Sequence, residues 1–334
     1  MLKLVENEVM KVILKKRLYV IMAILIVFIS LFAYGEQYTL NKRKDEVGKR
    51  FGIENVDNWR SITEQQLIDL EERLDNPYIP EEGKASIKVR AEQLKFYLDN
   101  NVNPINSSSG RFMTRFVEQS IFLFIPLLII LLAGDIVSGE SNKGTIKMLL
   151  TRPVPRWKIL LSKLFALTIL EMIIILLIGL ISFIVSMVLF RYGGFNEPVI
   201  TGFKIVGNQL NTSAVRNVPQ WQYMVMVYSI GYFVSFVIGC ISLMVSVVVR
   251  STSASIGIMM STLVGGSFLS FFIGDWKFTR YIFTVNLNLT DFLSGSMQQV
   301  EGLSMTFSTI VLLGWALVSV AVAFLVFTKK DILA

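Results

Sequence analysis

Long apolar runs alternate with polar segments along this chain of 334 residues. A helix needs about 20 apolar residues to cross a hydrocarbon layer ~30 Å thick, and several runs approach or exceed that length. The pattern therefore predicts an all-α polytopic membrane protein with six transmembrane helices. The predicted spans are residues 18–34, 117–134, 164–190, 221–249, 256–273 and 305–328.

The segments outside these spans differ in character. Residues 1–17 predict an amphipathic surface helix, because four apolar side chains recur along one side of it. These side chains are Leu2, Val5, Val9 and Ile13. The remaining connections are the insertion 35–116, the polar loops 135–163 and 191–220, the turn 250–255, the partly apolar segment 274–304, which we expect to fold back at the membrane surface, and the tail 329–334.

The insertion at residues 35–116 predicts two amphipathic helices. Ser61 and Glu64 have the spacing of a capping box, and leucines follow them at helical spacing. Pro80 precedes a second stretch with helical periodicity, as proline often does at the start of a helix. The two apolar faces suffice for a hairpin but are thin for an independent core.

The first apolar run has two interpretations. A secretory signal peptide would be cleaved near Ala33, where small residues follow the run. The run and its basic leader are, however, longer than those of a typical signal peptide. We therefore favour an uncleaved membrane anchor at residues 18–34.

The composition and charge support a membrane protein with a defined orientation. The chain is 53% hydrophobic, has a mean hydropathy of +0.58 and carries a formal charge of +7. Lys and Arg are in excess in the short segments that lie on the N-terminal side of the membrane, so we expect both termini in the cytoplasm. The insertion would then be extracellular and the protein would lie in the cell membrane. Because the charge follows the membrane pattern, no nucleic-acid partner is predicted.

The residue inventory excludes several kinds of chemistry. The chain has no histidine and one cysteine, Cys240, so His-based acid–base catalysis and an internal disulfide are excluded. Residues 139–145 resemble a phosphate-binding loop only superficially, because the lysine after the second glycine is absent and no β-strand precedes them. The sequence predicts no catalytic residue, no metal ligand and no nucleotide site.

The polar loop at residues 135–163 contains the most distinctive pattern in the chain. Its apolar residues Ile146, Leu149 and Leu150 recur at helical spacing, which predicts a short amphipathic helix at the membrane surface. A segment that only joins two spans is the alternative interpretation. The residues that form the wider pattern are Glu140, Gly144, Thr145, Leu149, Leu150, Pro153, Arg156 and Lys163.

This pattern resembles the loop between the second and third spans of ABC-2-type permeases, the membrane subunits of ABC exporters. The resemblance implies that the loop carries a coupling helix, which rests in a cleft of a separate ATP-hydrolysing subunit. It implies contacts by Glu140 and Arg156 and by the segment from Gly144 to Pro153 that contains Thr145, Ile146, Leu149 and Leu150. Pro155 departs from the family pattern, in which a small hydroxyl residue is common there.

The resemblance also implies the partners of the chain. An ABC ATPase subunit would bind ATP and Mg²⁺, so that this chain holds no cofactor and is not itself an enzyme. A second copy of the permease, or a related permease, would complete the pathway within the membrane lipids.

Glu171 is the one carboxylate deep in a predicted span, where an ionisable group is costly. One interpretation is a contact with substrate or a proton. The other is a structural hydrogen bond to a hydroxyl group of a neighbouring helix.

Small residues recur every four positions in the fourth and fifth spans. This spacing lets two helices approach closely. We favour packing of these spans as a hairpin, and a subunit interface is the alternative. The residues are Gly231, Ser235 and Gly239 in the fourth span and Gly257, Ser261 and Gly265 in the fifth.

Two functions follow from these observations. The first is the permease subunit of an exporter for a peptide, an antibiotic or a lipid-like substrate. The second is a non-transporting membrane sensor or assembly factor, whose extracellular helices bind a ligand. In the first case the insertion would gate the exit or bind a ligand, and a cap over a dimer is the alternative.

Overall fold

A computed structural model of the protein is mostly helical. Its helices are α1 Leu2–Leu14, α2 Arg17–Phe51, α3 Trp59–Leu74, α4 Glu81–Asp99, α5 Ser109–Ser120, α6 Phe124–Ala133, α7 Ser138–Asn142, α8 Arg156–Leu189, α9 Gln220–Val249, α10 Thr252–Ile273, α11 Asp291–Ser294 and α12 Met305–Lys329. The structure describes residues 1–51, 59–105, 108–142, 144, 154–190, 192–206, 209–249, 251–273, 276–296, 300 and 302–329.

Apolar helices form a bundle around α9. This helix packs against α5, α6, α8, α10 and α12, and one continuous hydrophobic core joins them. Large apolar side chains on the outside of the bundle are exposed, among them Leu31, Leu176 and Leu317. Exposed apolar faces on long apolar helices are the arrangement that a lipid environment stabilises.

Five helical segments among the described residues are long and apolar enough to cross a membrane. They are Arg17–Glu46, Phe124–Asn142, Arg156–Leu189, Gln220–Val249 and Met305–Lys329. Helix α10, with 22 residues, lies where the fifth span was expected. The chain is thus a multi-pass helical protein, whereas the crossing by α10 and the count of six spans stay predictions.

The second span is broken rather than continuous over residues 117–134. Helix α5 ends at Ser120 and α6 begins at Phe124. Pro126 explains the break, because its ring lacks an N–H and would collide with the carbonyl of Phe122 in an unbroken helix. Pro126 is the third residue of α6, within the first turn, where a proline is tolerated because its missing N–H would have no partner in the helix.

Two other helices extend beyond the predicted span limits. Helix α2 continues past residue 34 to Phe51, and α8 begins at Arg156 rather than at residue 164. No proline interrupts either extension, so the hydrogen-bonded helix runs on into polar sequence. Pro155 precedes the first turn of α8 with φ −59°, where its missing N–H costs nothing.

The insertion and the loop at residues 191–220 form one small unit, which we call the head: α3, α4 and residues 192–219. Helices α3 and α4 pack together as predicted for a hairpin. The capping box is wrong, because α3 already begins at Trp59 and Ser61 lies inside it. The 3-10 turns Thr279–Tyr281 and Phe283–Asn286 and helix α11 lie in the segment 274–304.

The head also contains β-structure, so the all-α prediction is incomplete. Strand β1, Pro198–Thr201, pairs with β4, Arg216–Pro219, and β2, Lys204–Val206, pairs with β3, Gln209–Asn211; both pairs are antiparallel. Strand β3 packs against α4, and Ile200 of β1 lies in one apolar cluster with Tyr97 of α4. The resulting core contains Tyr97, Val102, Ile200 and Phe203 and supplies the apolar contacts that the hairpin alone lacks.

Candidate functional site

Three elements meet at the end of the bundle opposite the head, which we call the base: α1, residues 134–142 and the first turns of α8. Lys163 of α8 is completely buried there, with 0% of its side chain exposed. Its Nζ donates to Glu8 Oε2 at 2.8 Å and to the backbone carbonyl of Ile136 at 3.1 Å, and it lies 2.7 Å from Glu140 Oε2. The ammonium group thus makes two hydrogen bonds and two ion pairs.

Lys11 completes a ring of alternating charges with these residues. Its Nζ donates to Glu8 Oε1 at 2.7 Å and to Glu140 Oε1 at 2.9 Å. Each carboxylate therefore bridges both lysines, and each lysine bridges both carboxylates. The ring is neutral overall, which is the arrangement that makes burial of charges tolerable.

The electrostatics of the ring favour the charged forms of Glu8 and Lys11. Burial alone would raise the pKa of Glu8, but the attraction of Lys163 and the hydrogen bonds from Lys11 and Lys163 outweigh it, so that the pKa lies below its usual 4.5. Burial likewise opposes the charge of Lys11, while hydrogen bonds to Glu8 and Glu140 raise its pKa above 10.5. Both shifts keep Glu8 and Lys11 ionised at neutral pH.

A second ion-pair group lies beside the ring. Asp135 Oδ2 is 2.7 Å from Arg17 and 3.3 Å from Lys15, and Thr252 donates to Asp135 Oδ1 at 3.2 Å. Lys16, between the two cations, has φ +57° and makes the corner from α1 to α2. Such a conformation costs about 1–2 kcal/mol for a residue with a side chain, and the flanking ion pairs hold the corner in place.

Ser246 of α9 fixes the start of α7 against the bundle. Its Oγ accepts hydrogen bonds from the backbone N–H groups of Val137 at 3.3 Å and Ser138 at 3.0 Å, and donates to the carbonyl of Gly134 at 3.1 Å. These contacts satisfy N–H groups that have no partner within a short helix. These hydrogen bonds hold the backbone that leads to Glu140 in place beside the ring.

The predicted loop residues are only partly within the described chain. Glu140 lies in the ring, Gly144 has φ +67°, and the Arg156 guanidinium donates to the carbonyl of Thr328 near the end of α12 at 3.4 Å. The predicted amphipathic helix lies outside the described residues. Its members Thr145, Ile146, Leu149, Leu150 and Pro153 therefore keep the status of predictions.

Sequence reasoning did not single out Glu8, Lys11 or Asp135. A usable signal was present, because Glu8 lies three residues after Val5 on the apolar side of α1, where a carboxylate needs a partner. Lys163 belonged to the loop pattern, but its partner Glu8 is 155 positions away. A contact between residues so far apart cannot be inferred from a single sequence.

Glu171 lies in α8, buried to 1% exposure. Within the described residues neither of its oxygens has a hydrogen-bond partner, so the predicted bond to a neighbouring hydroxyl is not present. Gly239 of α9 makes the space for this carboxyl group: a Cβ there would lie 1.8 Å from Oε1. The carboxyl group of Glu171 is thus enclosed between α8 and α9 without a hydrogen-bond partner among the described residues.

The two sets of small residues behave differently. In α9, Gly231 faces Val117 of α5, and the Ser235 hydroxyl donates to the carbonyl of Gly231. In α10, a Cβ at Gly257 or Gly265 would meet no atom of the described chain within 4 Å, and Ser261 is exposed. Helices α9 and α10 do pack against each other. Within the described residues Gly257 and Gly265 lie away from that contact, so their part in the hairpin stays a prediction.

The base has no arrangement suited to a metal. Among the described residues no group of three or more His, Cys, Asp or Glu side chains is placed to hold an ion. The carboxylates at the base instead face ammonium and guanidinium groups. These ion pairs connect α1, α7 and α8 to one another.

The apolar bundle and its charged base define a multi-pass membrane protein. The chain belongs to the family described as "ABC-2 family transporter protein", whose sequence profile matches residues 2–332. This match confirms the resemblance that the loop pattern indicated.

Two relatives come from Bacillus subtilis (strain 168). The chain is 25% identical to "Uncharacterized protein YhcI" across 99% of both chains. It is 26% identical to "Uncharacterized membrane protein YdbK" over 64% of this chain and 80% of the relative. Neither name states a substrate.

Proposed function

We propose that this chain is the permease subunit of an ATP-driven exporter, and that a separate ATPase subunit binds the loop at residues 143–155. Membership of the ABC-2 transporter family supports a transport role and an ATPase partner. The orientation with both termini in the cytoplasm, inferred from the Lys and Arg distribution, places the base on the side where ATP is available.

The single observation that carries the proposal is the ring at Lys163. Glu140 precedes the loop and Lys163 follows it, so their 2.7 Å contact clamps the two ends of the loop together. Force applied to the loop would therefore act on α8 as well as on α7. Helix α8 has 34 residues and a length of about 50 Å, enough to carry a displacement across the membrane.

The N-terminal helix belongs to the same joint. Because Glu8 contacts Lys163 of α8 and Lys11 contacts Glu140 of α7, α1 must move with these helices or the ring must open. Opening would expose buried charges and remove their partners, at a cost of several kcal/mol. The base therefore favours movement as one body.

Transport further requires a pathway, which we propose forms between two permease copies. The set of small residues in α10 supports this, since it is not covered within the described chain. Gly257 and Gly265 would allow close approach of a second copy or of a related permease.

The experiment is affinity purification of the tagged full-length protein from its own host membranes. We expect an ATP-hydrolysing subunit to accompany it, and Ile146→Asp to abolish this association, because a carboxylate in a desolvated contact costs about 2–5 kcal/mol. Lys147→Asp is the matched control, since it also adds a carboxylate but on the polar face. Recovery of the ATPase with Ile146→Asp at the wild-type level would contradict the proposal, as would its absence from the wild-type preparation.

A further inference from the structure

A cavity of about 590 Å³ lies in the head, between the end of α2 and the helices α3 and α4. Cavities that bind small molecules are typically of this size. Four cationic side chains from three helices line this head cavity. They are Arg43 and Lys49 of α2, Arg73 of α3 and Arg90 of α4.

The two acidic residues in the same wall already have partners. Glu46 lies 3.9 Å from the ammonium group of Lys42, and Asp69 Oδ1 accepts a hydrogen bond from Gln65 at 2.8 Å. The two carboxylates offset only part of the charge of the four cations that line the cavity. The cavity keeps a positive charge.

The guanidinium groups lack such neutralisation. Across the described ranges, Arg43, Arg73 and Arg90 form no ion pair with a carboxylate, and Arg90 donates only to the neutral Gln93 Oε1, at 3.2 Å. The protein around Arg90 lowers the pKa of its guanidinium by desolvation, and the like charges of Arg115 and Arg43 lower it further. An anion placed between these groups would relieve their mutual repulsion.

A second cavity of about 160 Å³, the neck cavity, continues from the first toward the bundle. Arg43, Ile62 and Gln66 line both cavities, so the two are neighbours along one wall. The neck cavity is bordered by the apolar side chains of Leu189 and Phe190, where α8 ends. The cationic cavity thus adjoins a smaller one of mixed lining, in which Leu40, Leu189 and Phe190 supply apolar surface.

From this arrangement we propose that the head binds an amphiphilic anion. Its carboxylate or phosphate group lies among Arg43, Arg73 and Arg90, and its apolar part extends into the neck cavity toward Leu189 and Phe190. Charge complementarity determines the position of the headgroup, and burial of methylene groups supplies affinity. Binding of this kind requires no ATP and goes beyond the proposed coupling function.

The test is calorimetric titration of sodium octanoate into the full-length protein in phosphatidylcholine nanodiscs, with empty nanodiscs subtracted. Octanoate should bind at least about tenfold more tightly than neutral octan-1-ol, because only the anion pairs with the arginines. It should also bind at least about tenfold more tightly than acetate, since each buried methylene contributes roughly fourfold.

Variants then assign the site to particular side chains. Arg90→Gln and Arg43→Gln should each raise the octanoate Kd by about tenfold or more. Lys95→Gln is the matched control, because it removes a cation from the same helix α4 that instead pairs with Glu71 at the surface, at 2.9 Å. It should leave the Kd unchanged.

A second titration, in nanodiscs that contain phosphatidylglycerol, distinguishes a membrane lipid from a dissolved amphiphile as the natural ligand. If phosphatidylglycerol in the nanodisc suppresses octanoate binding, the natural ligand is an anionic lipid; if it does not, the ligand is a dissolved amphiphile, and both results support the site. Equal binding of octanoate and octan-1-ol, or of octanoate and acetate, overturns the proposal. So does wild-type affinity in Arg90→Gln and Arg43→Gln. The comparison of ligands needs no variant, so it stands even if a substitution impairs folding.

Discussion

Removal of the buried ammonium group by Lys163→Met is the sharpest perturbation of the base. Methionine keeps most of the aliphatic volume but loses three contacts, to Glu8, Glu140 and the carbonyl of Ile136. The ring then changes from neutral to a net charge of −1, with two carboxylates facing one remaining ammonium group of Lys11. The substitution thus tests charge pairing rather than packing.

The expected cost follows from the geometry. A charge-assisted hydrogen bond contributes about 1.5–3 kcal/mol, but the two hydrogen bonds and the ion pair to Glu140 that are lost here are not additive, because Lys11 still bridges both carboxylates and has access to water. Breaking a buried pair by removing one partner costs about 3–5 kcal/mol, which we take as the whole effect. The melting temperature should fall by roughly 5–10 °C.

The assay is thermal unfolding of the detergent-purified protein, followed by the fraction that remains monodisperse. Lys158→Met is the control, since Lys158 is an exposed residue of the same helix. A double-mutant cycle with Glu8→Gln isolates the pair, and we expect a coupling free energy of about 1–3 kcal/mol. A melting temperature within about 2 °C of the control, or a coupling free energy of zero, would refute the ring as a structural joint.

Three other outcomes are expected. Because the folded-state pKa of Glu8 lies below its usual 4.5, its stabilising charge is lost as the pH falls through that lower value; Glu8→Gln should therefore weaken the decrease of melting temperature below about pH 4.5, whereas Glu6→Gln on the exposed side of α1 should not. Glu171→Met should leave the melting temperature unchanged or raise it, because a buried carboxyl without a hydrogen-bond partner contributes no net stability; a fall of several degrees would show a bond to it. On a cysteine-free background, a cysteine at Thr212 should react with an impermeant thiol reagent in intact cells, and one at Ser141 should react only after permeabilisation; labelling of position 141 from outside would reverse the topology.

The bundle was predictable to the extent that it depends on local sequence. Apolar length alone indicated five helical segments that could cross a membrane, since a helix satisfies its backbone hydrogen bonds within one segment. The ends of the helices were less predictable, because α2 continues to Phe51 through polar residues that are compatible with helix. The break before Pro126 could be expected as a kink, but its extent depends on how α5 and α6 pack against α9.

The features that escaped prediction depend on contacts between distant segments. The strands at residues 198–219 are three or four residues long, and they are stabilised by packing on α4 rather than by a sequence signal of their own. The ring joins residues 8, 11, 140 and 163 from three helices. The loop pattern marked Glu140 and Lys163, but only the fold shows that they bind each other.

The two ends of the molecule use charge in opposite ways. At the base, two ammonium groups and two carboxylates alternate, with contacts of at most 2.9 Å between neighbours, so the charges neutralise one another. In the head, arginines from α2, α3 and α4 line one cavity, while both acidic residues in its wall have other partners. The four cations of this cavity outnumber its two carboxylates, so the cavity attracts anions. The ion pairs of the ring join three helices, which suits the proposed coupling role of the base. The excess of cations in the head cavity attracts an anion, which suits the proposed binding role of the head.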